Sequence, residues 1–197
     1  MTPEDRAEEI ERLEAKLQPT RIRSTLAFAG LFQLTHELIK SNVLDAVKGF
    51  FGHTVFGKQE WWVGDQKAAY KIQVLDRAPG KVFSASLMWL IKMGAITATQ
   101  AERLEDVYSH RHDLAHELGK YLVDVNAEPD VGLFVEALEI LRALARFWVE
   151  YEVDIGLLDG HPDATADDVT PMQLVLLQMC IDAYVEGLPT DGTGTAD

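Results

Sequence analysis

Between Tyr108 and Leu118 the chain reads Tyr-Ser-His-Arg-His-Asp-Leu-Ala-His-Glu-Leu, which places three histidines, one arginine and two acids within eleven residues. Imidazoles exchange protons near neutral pH, and a guanidinium keeps its charge and answers phosphate or carboxylate. These are the residue types of acid–base chemistry on an anionic substrate. The stretch lies on a helix signal: Leu104, Val107, Leu114, Leu118 and Leu122 recur at the three-or-four spacing of one buried face. A seven-residue step from Leu104 through Arg111 to Leu118 puts Arg111 where a leucine is expected. A permanent charge there needs a carboxylate, a phosphate or a wet interface. Sequences that are otherwise self-consistent break their own rules mainly at sites.

Two kinds of chemistry fit the spacing. His112 and His116 are four apart and face one way on a helix, as a zinc pair does. His112-Asp113-Leu114-Ala115-His116 is similar to the HExxH zincin motif with Asp for Glu. The shorter carboxylate would have to act as base, and neither a third ligand nor an accompanying sheet is evident. No metal and no other cofactor is therefore expected.

The second reading takes Arg111 and His116 together. Arg, four residues, then His, with a polar residue after the Arg and a small one before the His, resembles the signature of the HEPN superfamily. These are small helical domains, many of them metal-independent endoribonucleases. A helix starting at Thr97 or Thr99, the Leu114-Ala115-His116 ending and the flanking hydrophobic helices share the resemblance, which covers roughly Arg21 to Tyr151. It implies a homodimer in which two motif helices meet across a two-fold axis. Arg111 would answer a phosphate, His116 would move protons, and His112 would orient the pair or the substrate. Outside the resemblance, Asp113 and Glu37 are supporting candidates; Glu37, a carboxylate on a buried helix, is read either as a partner for Arg111 or as a solvated side chain. The implied reaction is attack of an RNA 2′-hydroxyl on the adjacent phosphate, which needs no metal. A toxin–antitoxin or defence role follows from the resemblance, with an antitoxin or regulatory protein as further partner. Toxins of one subgroup, paired with a nucleotidyltransferase antitoxin, carry a Tyr two residues after the motif His. Here that position is Leu118 and the nearest tyrosine beyond the motif is Tyr121, so control by nucleotidylation does not carry over. The alternative is a non-catalytic helical dimer that binds a partner protein or nucleotide. In it Arg111, paired with Glu37 or another carboxylate, fixes helix register.

The whole chain limits these readings. Its 197 residues suit one domain, or one domain with an added terminal helix, and 18 basic against 32 acidic residues give a net charge of -14. Such a charge repels polyanions at long range, so RNA contact requires a local basic patch or an assembled cleft. A single cysteine, Cys180, excludes an internal disulfide and points to a reducing compartment. It sits in an apolar run, Leu176, Leu177, Met179 and Ile181, read as core. The charged N-terminus lacks a signal-peptide stretch and no apolar run approaches bilayer length, so a cytoplasmic protein with no membrane contact is expected.

The periodicity predicts an all-α fold, an antiparallel bundle with extra helices at both ends. Residues 1–20 hold a charged helix, 21–187 the main domain, and 188–197 a disordered tail. A mostly apolar helix begins at Arg21, with His36 as a hydrogen-bonded core or boundary residue, and a separate piece runs from Asn42 to Phe51. The glycine-punctuated segment 52–66 reads as an ordered loop with Trp61 and Trp62 packed over the core. Lys67 to Asp76 and Lys81 to Met93 are helical. Thr97 with Gln100, or Thr99 with Glu102, makes a capping box opening the motif helix, which runs to Asp124. A long helix from Asp130 to Tyr151 packs antiparallel to it. After an acidic loop, 157–170, which lacks calcium-loop spacing, Thr170 and Pro171 take the N-cap and first position of a last helix.

Overall fold

The computed structural model describes residues 2–156 and 165–188. Helix α1 (Pro3–Lys16) opens on a Thr2–Asp5 capping box and exposes most of its length. It docks through two cations near its end. Lys16 donates to the carbonyls of Asp124 and Ala127 and pairs with Glu128 at 2.9 Å, and Arg12 donates to the Val125 carbonyl at 3.1 Å.

Helix α2 (Pro19–Phe50) runs unbroken through 32 residues, where the sequence suggested a separate piece from Asn42. Asn42 does not end the helix because its amide donates back to Leu38 O at 2.8 Å and its other contacts reach Gln173 on a neighbouring helix. His36 is 8% exposed on this helix, as a core or boundary residue would be, but its Nδ1 has no hydrogen-bond partner, so the expected hydrogen-bonded histidine is corrected on that point.

Segment 52–66 contains a β-hairpin, β1 (His53–Phe56) with β2 (Gln59–Trp62). Gly57 has φ +64 and Lys58 does not have a positive φ, the signature of a two-residue type II′ turn. Side chains alternate faces along a strand, so adjacent tryptophans cannot both face the core. Trp62 packs inward against His53 and Tyr70, with ring centroids 4.7 and 5.4 Å away. Trp61 is 60% exposed beside Phe56 at 81%, which corrects the expectation that both indoles cover the core.

Helix α3 (Gln66–Gln73) leads through a short 3-10 turn to α4 (Val82–Met93), which Gly94 closes in the left-handed conformation. Helix α5 (Ala98–His116) starts with the Thr97–Gln100 capping box, so the Thr99 alternative is not the one used. The expected continuous helix to Asp124 instead breaks at Glu117 (φ -114, ψ 26), and α6 (Leu118–Val123) follows. Gly119, a poor helix former, sits just past the break. Helix α7 (Val131–Asp154) is capped by the Asp130 carboxylate, which accepts Leu133 N–H at 2.8 Å. Helix α8 (Met172–Glu186) begins one residue later than expected, with extended Pro171 rather than Thr170 at its N-cap. Its apolar run is not all core: Leu177 is buried, Cys180 half-buried, and Leu176 and Met179 exposed. Most of the expected acidic loop, residues 157–164, and the tail from 189 lie outside the described residues.

The fold is all-α apart from the hairpin, with α2 as its hub. Contacts fix the directions. Arg103 pairs with Glu136 and His110 with the Asp130 amide, so α5 and α7 run antiparallel. Phe28 meets Phe134, and Trp148 donates to Asn42 O, so α2 and α7 run parallel. Phe32, Ile39, Trp89, Leu90, Leu141 and Leu144 are almost fully buried at the centre. Each contributes about 1.5–3 kcal/mol relative to exposure, an upper range because the unfolded chain is partly compact. Among the described residues no helix is long and apolar enough to cross a membrane.

Candidate functional site

The apolar stripe of α5 buries Leu104, Val107 and Leu114 against the bundle, and Arg111 sits in that stripe with its side chain 24% exposed. Its Nη2 donates to Glu37 Oε1 on α2 at 3.2 Å. Glu37 is shared: Lys40 Nζ lies 3.5 Å from its other oxygen, and Gln33 donates to Oε1 at 3.1 Å. One carboxylate therefore answers two permanent cations. Burial raises the Glu37 pKa, but Lys40 and His36 outweigh it and hold the carboxyl below its ordinary range.

His36 lies beside this pair. Burial, aided by the Arg111 charge, depresses its pKa, so the imidazole is neutral at pH 7. Its Nδ1 is 3.5 Å from Glu37 Oε1 but has no hydrogen-bond geometry to it, and the Nε of Arg111 is likewise buried without a partner. These groups line a groove of about 740 Å³ between α2, α4 and α5, with Leu87 and Leu104 in its wall and Tyr108, Glu105 and Lys40 at its rim.

His112 and His116 belong to a different face. Both are exposed, and their ring centroids are 4.4 Å apart on the last turn of α5. Residues five apart on a helix point about 140° away from each other, so Arg111 and His116 diverge. The structure thus brings Glu37 to Arg111 and His112 to His116, but does not join the two pairs within one subunit. Asp113 is exposed beyond the groove, and its charge reaches His110 and Tyr121.

His110 carries no role in the sequence reading, and the fold gives it one. Its Nε2 accepts the Asp130 N–H at 3.0 Å, and its ring packs edge-on to Phe32 and Tyr121 at 5.0 and 5.9 Å. Burial keeps it neutral. It is a joint between α5 and α7. His36, Tyr108 and Lys40 join the site for a reason the sequence shows only faintly: they are polar positions on the facing turns of α2 and α5.

Among the described residues no group of three His, Cys, Asp or Glu side chains is arranged to hold a metal ion. No protein-family model, curated protein or solved structure matches the chain significantly.

Proposed function

We propose that this protein is a metal-independent endoribonuclease of HEPN type that works as a homodimer. The observation that carries the reading is the exposed His112–His116 pair, 4.4 Å between rings, at the end of the helix that also holds Arg111 in its buried stripe. Two imidazoles at that separation divide the labour of transesterification. One takes the proton from the RNA 2′-hydroxyl, whose oxygen attacks the adjacent phosphorus. The other protonates the departing 5′-oxygen, leaving a 2′,3′-cyclic phosphate and a 5′-hydroxyl. Arg111 stabilises the charge that builds on the phosphoryl oxygens. Because Arg111 and His116 diverge on one helix, the site is completed by a second copy, whose α5 meets the first across a two-fold axis. The role is that of a toxin or defence nuclease restrained by an antitoxin or regulatory protein, in a reducing compartment such as the cytoplasm where the single cysteine stays a thiol.

A second reading has its own observation. The Arg111–Glu37 ion pair at 3.2 Å is what a register-fixing contact in a non-catalytic dimer would look like. Incubating the protein with RNA in chelator and analysing the new ends separates the two. Cyclic phosphate ends support the nuclease, and intact RNA across varied substrates supports the structural dimer.

A further inference from the structure

Helix α8 carries two apolar stripes on opposite sides. Leu174, Leu177, Ile181 and Tyr184 face inward and pack on the core, where Tyr184 and Gln173 meet Ser24 and Asn42 of α2. The other stripe, Met172, Leu176, Met179 and Ala183, points outward, and its three large residues are 78%, 51% and 63% exposed. A helix apolar on both sides belongs between two partners, and the described residues supply one. The outer stripe steps by four, three and four residues, the spacing at which one helix seats its side chains in another. Apolar surface continues onto α7 through exposed Val131 and Val135, whereas the exposed Glu139, Arg146 and Glu150 of the same helix are charged. The patch is therefore local to one face of the molecule.

We propose that this face docks a second copy of the chain, with the two α8 helices antiparallel across a two-fold axis. Charge decides both the occupant and the direction. Helix α8 has no basic residue and two acids, Asp182 and Glu186, both in its C-terminal half. Parallel pairing would gather the carboxylates of both copies at one end. Antiparallel pairing sets the acids of each copy beside the acid-free first turns of the other, at the positive end of its helix dipole. Arg142 on α7 lines a groove beside Gln178, and Gln178 donates to Asp182 at 2.8 Å, so arginine and aspartate lie on one flank. Arg142 makes no ion pair among the described residues, and in the antiparallel pair it answers Asp182 of the second copy. The face thus carries both halves of its own complement, as an isologous contact requires. In register, Leu176 meets Met179 of the second copy and Met172 meets its Ala183. Two helix flanks make a contact at the small end of specific interfaces, so association depends on concentration. This contact is separate from the α5 pairing and does not need it.

Sedimentation of wild type, Leu176→Asp, Met179→Asp and Ile72→Asp over about 1–100 µM tests it, a range that spans weak specific contacts. The wild type gains mass with concentration. Each α8 variant raises the dissociation constant at least about ten-fold, as a charge placed at the centre of an interface does. Ile72, 68% exposed on α3, is the control, and Ile72→Asp associates as wild type does. All three positions are exposed in the subunit, so circular dichroism of the variants stays that of wild type. Where α5 pairs as well, the α8 variants halve the assembly instead of reducing it to the monomer. Direction is read in a Cys180→Ser background, by oxidising an equimolar mixture of Leu176→Cys and Met179→Cys proteins with copper–phenanthroline. The mixed disulfide dimer predominates for antiparallel helices, and self-linked dimers of each variant overturn that arrangement. A wild type that stays monomeric throughout, whatever else covers the face, or association that Met179→Asp leaves unchanged, overturns the interface.

Discussion

His110 Nε2 accepts the backbone N–H of Asp130 at 3.0 Å, so a neutral imidazole on α5 satisfies the amide where α7 begins. Protonation would turn that acceptor into a donor facing a donor, at the positive end of a helix dipole. Burial depresses the folded-state pKa of His110, and of His36 in the same direction. The unfolded chain, with histidines titrating near about 6.5, therefore takes up protons first, and stability is full above that pH and falls as pH drops below it. Chemical denaturation at pH 7.5 and 5.5 should show a lower midpoint at the acid value. The difference should shrink in His110→Phe; an unchanged difference would remove His110 from the account.

The start of the motif helix gives a sharper stability test. Thr97 accepts Gln100 N–H at 3.1 Å and Gln100 accepts Thr97 N–H at 2.9 Å, whereas Thr99 lies inside the first turn. Thr97→Ala should cost about 1 kcal/mol, and Thr99→Ala less than about 0.5 kcal/mol. Urea unfolding of the two variants decides it, and equal losses would contradict the cap register.

Much of this architecture is legible from residue spacing. The stripes Leu104, Val107, Leu114 and Phe134, Leu138, Leu141 locate α5 and α7, and the polar Arg111 in the first stripe meets the polar Glu37 of α2. What spacing does not show has physical reasons. The four-residue strands of the hairpin are too short to display sustained alternation, and only the Gly57-Lys58 turn marks them. The His110–Asp130 bond spans 20 residues of sequence and depends on how two helices cross. The break at Glu117 is a local backbone choice within an apolar pattern that continues to Tyr121, so periodicity runs straight through it. Divergence of Arg111 from His116 is implied by helix geometry, but the groove that receives Arg111 is a product of three helices.

If Arg111 answers phosphate as proposed, Glu37, which already holds it at 3.2 Å, would compete for it. In Glu37→Gln the guanidinium and Lys40 lose their shared carboxylate, so RNA affinity should rise several-fold and most strongly at low salt. The pair is partly exposed, so the stability change should stay within about 1 kcal/mol. Anisotropy with an uncleavable 2′-O-methyl RNA octamer, alongside a thermal melt, measures both. Unchanged or weaker binding in a folded variant would show that Glu37 does not restrain Arg111.

Under the proposed mechanism Arg111→Ala should act in the opposite sense, weakening RNA binding and slowing cleavage together, because one side chain would meet the phosphate in the ground state and in the transition state. Single-turnover cleavage at saturating protein separates the two effects. A variant that binds normally and cuts at the wild-type rate would place Arg111 in the scaffold alone.

If the histidine pair on α5 cuts RNA without metal, cleavage of total cellular RNA by wild type and His116→Ala in excess EDTA shows it. His116 is exposed at the end of α5, so the variant should keep its fold and oligomeric state, which circular dichroism and sedimentation verify. Wild type should produce fragments ending in 2′,3′-cyclic phosphate, and His116→Ala should produce none. Equal cleavage by both proteins, or none by either, would contradict the account.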